Sequence, residues 1–221
     1  MKVMLFGATG MVGQGVLREC LLDPGVEAVL AVGRTPTGQS DPKLRELSRP
    51  DLFDLAPVED RLCGYDACFF CLGVSSAGLN EADYRRLTFD LTVRIARTLA
   101  PLNPTMTFVY VSGAGTDSTE HGRVMWARVK GETENALRAM QFHAVYLFRP
   151  GVIRPLHGVR SKTRTYRWLY AVLAPFVWMS AVIAPNSITT TEKVGRAMIQ
   201  VARTGAPAPV LGAREINRLG A

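Results

Sequence analysis

The residues Lys2-Val-Met-Leu-Phe6 and Gly7-Ala-Thr-Gly-Met-Val-Gly13 decide how this chain folds. A short apolar run opens into glycines three residues apart, and Val12, Val16, Leu17, Cys20 and Leu21 then recur at helical spacing. The pattern reads strand, tight turn, helix. Glycine lets such a turn adopt positive φ, and it lets main-chain N–H groups approach a ligand with no Cβ between. A helix that begins there offers unpaired N–H groups and the positive end of its dipole, so a diphosphate is the expected guest. The spacing is GxxGxxG rather than GxGxxG, yet it stands between a strand and a helix, the context a dinucleotide-binding turn requires. The cofactor-binding candidates here are Gly7, Thr9, Gly10, Met11, Val12 and Gly13. An ordinary structural turn is the alternative reading.

Outward from this turn, a second strand is expected over 27–32, after the helix stop Asp23-Pro24-Gly25, and it ends at Gly33-Arg34. In dinucleotide folds an acid at this strand end binds the ribose 2′-hydroxyl, whereas an arginine accepts a 2′-phosphate. Arg34 with no acid beside it favours NADP over NAD; a solvated loop arginine is the other reading. Residues 35–49 carry turn formers and charges and are expected to form a surface connection. Asp51 to Leu55 reads as a short third strand, which puts Asp54 and Leu55 near the adenine, although Asp54 could equally cap the next segment.

A fourth strand is expected over 66–72, ending in Gly73, with Cys71, Leu72 and Gly73 on the ligand side of the sheet. An amphipathic helix over 81–99 follows, with Leu87, Leu91, Ile95 and Leu99 as its apolar stripe, and Pro101 and Pro104 are expected to end it. Met106–Val111 is the fifth strand, leading into Ser112-Gly-Ala-Gly-Thr116. A helix from about Trp126 to Met140 places Trp126 and Lys130 on one face. Ala144–Phe148 is the sixth strand, ending in Arg149-Pro150-Gly151. Alternating strands and helices of this kind imply an α/β fold, a Rossmann-type doubly wound parallel sheet.

The chain has 221 residues, of which 48% are hydrophobic, enough for one full α/β core over 1–221 and too few for two large domains. The net charge of +7 would permit anionic partners, but no basic block with interleaved aromatics argues for nucleic acid. Cys68 and Cys71 have CxxC spacing inside an apparent strand, where residues three apart face opposite ways. No metal site is therefore expected, and the four cysteines read as buried reduced thiols of a cytosolic protein. The apolar run before Gly7 is too short for a secretory leader.

Taken in order, Gly7–Gly13, Gly33-Arg34, Val111-Ser112, Val129-Lys-Gly-Glu132 and Arg149-Pro-Gly151 resemble the atypical and extended short-chain dehydrogenase/reductases, the epimerase/dehydratase-like proteins. The likeness covers about two thirds of the chain and is nearest to the small Tat-interacting oxidoreductase-like branch. That family uses a serine after the fifth strand and a Tyr-x-x-x-Lys on the next helix. The resemblance implies that Ser112 holds a substrate carbonyl, that Lys130 holds the nicotinamide ribose, and that Pro150 and Gly151 border the cofactor. Trp126 stands where the family has its proton-donating tyrosine. An indole N–H donates hydrogen bonds but does not exchange its proton at useful pH, unlike a phenol of pKa about 10. His121, Tyr166, Tyr110 or a water are the conceivable substitutes.

Residues 152–187 are expected to form a small helical substrate-covering lobe. Within it, Arg160, Lys162, Arg164 and Arg167 precede 168–185, which carries no charged residue. That stretch reads as a lid, a homodimer surface or a membrane-docking element, with Pro175 arguing against a straight span. Thr189-Thr-Thr-Glu192 has capping-box spacing ahead of a helix to about Ala202; Val210-Leu211 and Arg214–Leu219 suggest a last strand and a closing helix. Together these features suggest an NADP(H)-binding oxidoreductase or epimerase for a small carbonyl or alcohol, cytoplasmic unless 168–185 meets a membrane. The competing reading is a catalytically silent cofactor-binding protein.

Overall fold

In the computed structural model, which describes residues 1–158 and 188–221, Val3, Met4, Leu5 and Phe6 are all fully buried. Burial of consecutive residues marks a strand covered on both faces, as parallel sheets require. This is β1 (Lys2–Phe6), an inner strand of a seven-stranded sheet with β2 (Ala28–Gly33), β3 (Leu44–Ser48), β4 (Ala67–Phe70), β5 (Thr107–Val111), β6 (Ala144–Arg149) and β9 (Val210–Gly212). Strand order is β3-β2-β1-β4-β5-β6-β9, and every pairing is parallel. Two short strands, β7 (Val152–Arg154) and β8 (Ile188–Thr190), pair separately. The fold is the expected Rossmann-type α/β sheet.

Order reverses between β1 and β4, and a crevice at such a switch point, beyond the carboxyl ends of the strands, is where open α/β sheets bind ligands. Register brings those ends level: Phe6 lies beside Val32 and Phe70, and Gly33 beside Ser48.

Helices cover both faces. On one, α1 (Met11–Leu22), α5 (Thr191–Thr204) and α6 (Ala213–Leu219) pack against Val3, Leu5, Phe69 and Val109. Facing Met4, Phe6, Phe70 and Phe108 on the other are a 3-10 turn (Ala56–Leu62), α3 (Leu91–Leu102) and α4 (Met125–Arg138). Phe70 stacks on Phe6 and on Phe108 with centroids 5.5 and 5.8 Å apart, each such pair adding about 0.5–1.5 kcal/mol beyond burial. The first face is drawn tight by small residues: a Cβ at Gly15 would lie 2.5 Å from Cβ of Thr191, so α1 and α5 nearly touch.

Several expectations need correction. The third strand is Leu44–Ser48, inside the presumed surface connection, while Asp51–Leu55 is irregular chain leading into the 3-10 turn. Of the edge-strand residues only Leu47 is buried, so the alternation was too faint to read. The helix after β4 is broken into α2 (Glu81–Arg85), a π turn (Arg86–Asp90) and α3, which runs through Pro101 to Leu102 instead of stopping before it. An extra residue in that turn rotates the stripe: Leu87 is exposed and Thr88 is buried, while Ile95 and Leu99 remain in the core. Cys68 and Cys71 do join opposite faces of the sheet, but Cys63 is exposed and Cys71 only partly buried, where all four thiols were expected to be buried. The cap of α5 sits one residue later than expected, with Thr190 Oγ1 accepting from the N–H of Lys193. Within 152–187 the described part, β7, is a strand rather than helix. Tyr166, the basic cluster 160–167 and the apolar stretch 168–185 lie outside the described residues. Among the described residues, no helix is long and apolar enough to cross a membrane, and no group of His, Cys, Asp or Glu could hold a metal ion.

Candidate functional site

Gly7 leaves β1 at φ +83°, and a Cβ there would come 2.7 Å from the main chain of Cys71 and 2.8 Å from the Leu72 nitrogen. The turn thus presses against the exit of β4 with no room for a side chain. Gly10 closes it, its N–H donating to Gly7 O at 2.9 Å, and Gly10 caps α1 with no side-chain hydrogen bond. A Cβ on Gly13 would lie 2.0 Å from the Gly7 carbonyl oxygen, so helix and turn are in direct contact. Met11 and Val12 occupy the first turn of α1, which carries no acidic residue. Its N–H groups and dipole therefore point at the crevice without a competing carboxylate.

A cavity of about 410 Å³ opens beside this turn, lined by Gly7, Ala8 and Thr9, by 31–37 and by Glu46, Ser48, Leu52 and Leu72. A second, of about 550 Å³, shares Arg34, Leu52 and Leu72 with it and extends over Asp51, Phe53, Gly73, Val74 and the π turn. Arg34 is exposed between the two. Glu46, on the same wall, accepts from the Thr37 N–H at 2.6 Å. The arginine of the π turn, Arg86, stands 5.7 Å from the Phe53 ring centroid.

The candidates at Gly7, Thr9, Arg34, Leu72 and Gly73 all line these cavities, and Cys71 supports Gly7 with its main chain. Asp54 and Leu55 do not line them. Leu55 is buried in the core and Asp54 is exposed, accepting from the Ala56 N–H at 3.2 Å. Asp51 and Leu52, the similar pair one turn earlier, line the second cavity in their stead. Glu46 and Ser48 escaped notice because β3 was not expected.

The second group lies at the exit of β5, two strands from β1. Ser112 Oγ is 2.9 Å from Thr116 Oγ1, which donates to Gly113 O at 2.8 Å. Each hydroxyl has one hydrogen, so Ser112 is the donor of that contact and keeps lone pairs for other partners. Pro150 O accepts from the Ala114 N–H at 2.9 Å, tying the β6 exit to this loop; Gly151 beside it is exposed. The half-buried Trp126 leans over the loop: a Cβ at Gly115 would be 3.6 Å from its Cη2.

Lys130 follows one turn along α4. Its Nζ donates to Tyr110 Oη at 3.4 Å and to Val111 O at 3.5 Å, and stands 5.2 Å from the Tyr110 ring centroid. Desolvation lowers its pKa to about 8, with Glu134 acting in the raising direction. Tyr110 itself is buried, and that burial, with Tyr84 and Glu134 nearby, pushes its phenol far up. It is no substitute acid near neutral pH. His121 is exposed, with its N–H 3.4 Å from Thr119 Oγ1.

No family model matches the chain. The mitochondrial protein fmp52-1 of Aspergillus terreus is 32% identical over 169 residues, 74% of this chain and 70% of that protein. The chain belongs to the family of the fmp52 proteins, and its sheet is the Rossmann-type fold that the short-chain dehydrogenase/reductase resemblance implies. It also resembles protein HTATIP2 of Rattus norvegicus, 26% identical over 189 residues, 83% of this chain and 76% of the relative. Among solved structures, WbmF of Bordetella bronchiseptica in complex with NAD+ superposes with a TM-score of 0.69 over 99% of this chain and 76% of its own. At 17% identity that likeness speaks for the fold alone. The cytoplasmic expectation is overturned by the fungal members of the family, which are mitochondrial by name. Reduced thiols and the lack of a secretory pattern do not separate the cytoplasm from an organelle.

Proposed function

We propose that this chain binds NADP(H) across the crevice between β1 and β4 and uses it on a small carbonyl or alcohol. The observation that carries the reading is the Gly7–Gly13 turn: a cradle any Cβ would fill, at the start of an acid-free helix, opening on a cavity that Arg34 overlooks. In this reading the N–H groups of α1 hold the diphosphate and Arg34, with Ser48 beside Gly33, meets the 2′-phosphate. The base lies in the second cavity, against Leu52, Leu72 and Phe53. When bound, the dinucleotide supplies or accepts a hydride. Lys130 holds the nicotinamide ribose with its ammonium, and Ser112 turns its hydroxyl from Thr116 toward the substrate oxygen. Calorimetric titration tests the reading: wild type binds NADPH more tightly than NADH, and Arg34→Ala removes that preference. Equal affinities in wild type would sink the 2′-phosphate assignment.

The position of Trp126 favours a second reading, a cofactor-binding protein without turnover. Its indole rests on the loop of Ser112, and its N–H is far too weak an acid to hand a proton to a substrate oxygen. Oxidation of NADPH by a panel of small aldehydes and ketones separates the two; bound but unconsumed cofactor would select the second.

A further inference from the structure

Behind Lys130 an ion pair with a buried carboxylate joins α4 to the end of β6. Glu134 is 1% exposed and accepts from Arg149 Nε with both carboxylate oxygens, at 3.0 and 3.2 Å, and from Arg149 Nη2. Arg149 is the last residue of β6, immediately before Pro150, and also donates to Ser118 Oγ at 2.5 Å. A planar fork of this kind fixes a carboxylate in place as well as pairing with it. Glu134 stands four residues after Lys130, on the same face of α4.

We propose that Glu134, clamped by Arg149, is the positioning residue of this site: from one helical turn behind, it keeps the half-buried Lys130 a cation aimed at the β5 exit. The inference deepens the cofactor reading above and rests on it for its purpose, though not for its test. Burying an ammonium favours the neutral amine, and a fixed carboxylate opposes that loss. Other charged or titratable groups on the elements packed here are Tyr110 on β5, Tyr146 on β6, Glu81, Asp83, Tyr84 and Arg85 on α2, and Arg86 and Asp90 on the π turn; Glu81 pairs with Arg128, and Asp83 accepts from Asn80. The arginines of α3, Arg94 and Arg97, are exposed. Arg85 is engaged by Glu132, and Tyr110 stays neutral. Glu134 is thus the anion that acts on Lys130.

The test is a heteronuclear NMR titration of the lysine side-chain signals of the cofactor-free full chain, with Lys130 assigned by its absence in Lys130→Met. Wild type should titrate near pH 8. Glu134→Gln keeps an oxygen for Arg149 but removes the charge, and should lower the midpoint by roughly one to two pH units. Arg149→Gln leaves Glu134 without its neutralising partner and should raise the midpoint. Opposite shifts from the two halves of one pair are not what a purely structural bridge gives. An unmoved midpoint, or a shift the same way in both, overturns the proposal; if Glu134→Gln does not fold, the sign in Arg149→Gln decides alone. NADPH binding, measured separately on wild type, tells the two readings apart: opposite shifts without any binding would leave the positioning pair standing and remove the cofactor.

Discussion

Gly13 rests on Gly7 so closely that a single added carbon would stand 2.0 Å from the Gly7 carbonyl oxygen. That contact fixes where α1 starts relative to β1, and with it the direction of the free N–H groups. Gly13→Ala should therefore reduce NADPH affinity at least tenfold and destabilise the fold by about 1–3 kcal/mol. Gly15→Ala, which meets Thr191 two residues deeper, should cost stability while leaving affinity near wild type in the molecules that remain folded. Thermal melts paired with cofactor titrations check both, and equal affinity losses in the two variants would mean that the turn has no special part.

Arg34 stands exposed between the two cavities, so its removal should touch one ligand and not the other. Charge-assisted contacts to phosphate are among the stronger hydrogen bonds, and Arg34→Ala should weaken NADPH about ten- to a hundredfold with NADH unchanged. Comparative titrations at one salt concentration measure this, and a parallel fall for both dinucleotides would contradict it.

Burial holds Lys130 at about 8 against an ordinary 10.5. Between those values the unfolded chain carries a proton that the folded chain has released. Stability from this group therefore rises as pH rises from about 8 to 10.5, and is least below pH 8, where folding must bury the charge. Denaturant melts of wild type and Lys130→Met across that range should show wild type gaining on the variant. A constant difference would contradict the burial.

Cys63 is exposed, whereas desolvation raises the thiols of Cys20, Cys68 and Cys71. Thiolate is the reacting form, so a disulfide reagent should modify about one thiol per folded chain at pH 8, and all four cysteines only after denaturation. Rapid reaction of the folded Cys63→Ser variant would contradict that distribution.

Trp126→Tyr places a phenol one turn before Lys130, on the face that meets the Ser112 loop. General acid–base catalysis is worth about a hundred- to ten-thousandfold, so NADPH consumption with small carbonyls should rise by at least the lower figure. No change, with cofactor still bound, would favour the protein without turnover.

How much of this was legible in the sequence follows from where the signals are local. The Gly7 turn, β1, β5 and α4 announce themselves by short-range patterns, and the parallel sheet follows from their alternation. Strand β3 does not, because an edge strand buries little: Leu47 alone is covered, and Glu46 and Ser48 entered the site unannounced. Choosing Asp54-Leu55 over Asp51-Leu52 followed directly from that missing strand. The π turn was equally hidden, since Leu87 keeps the spacing of a stripe that the extra residue then rotates into solvent. Nor does the pairing of Arg149 with Glu134 leave any trace in spacing, because only the folded β6 exit brings them together.

The most direct test of the account is a calorimetric titration of the full chain with NADPH. It predicts saturable binding at one site per chain, lost in Gly13→Ala. Absence of saturable heat with either NADPH or NADH would contradict it, and leave the Gly7–Gly13 turn as a purely structural joint between β1 and α1.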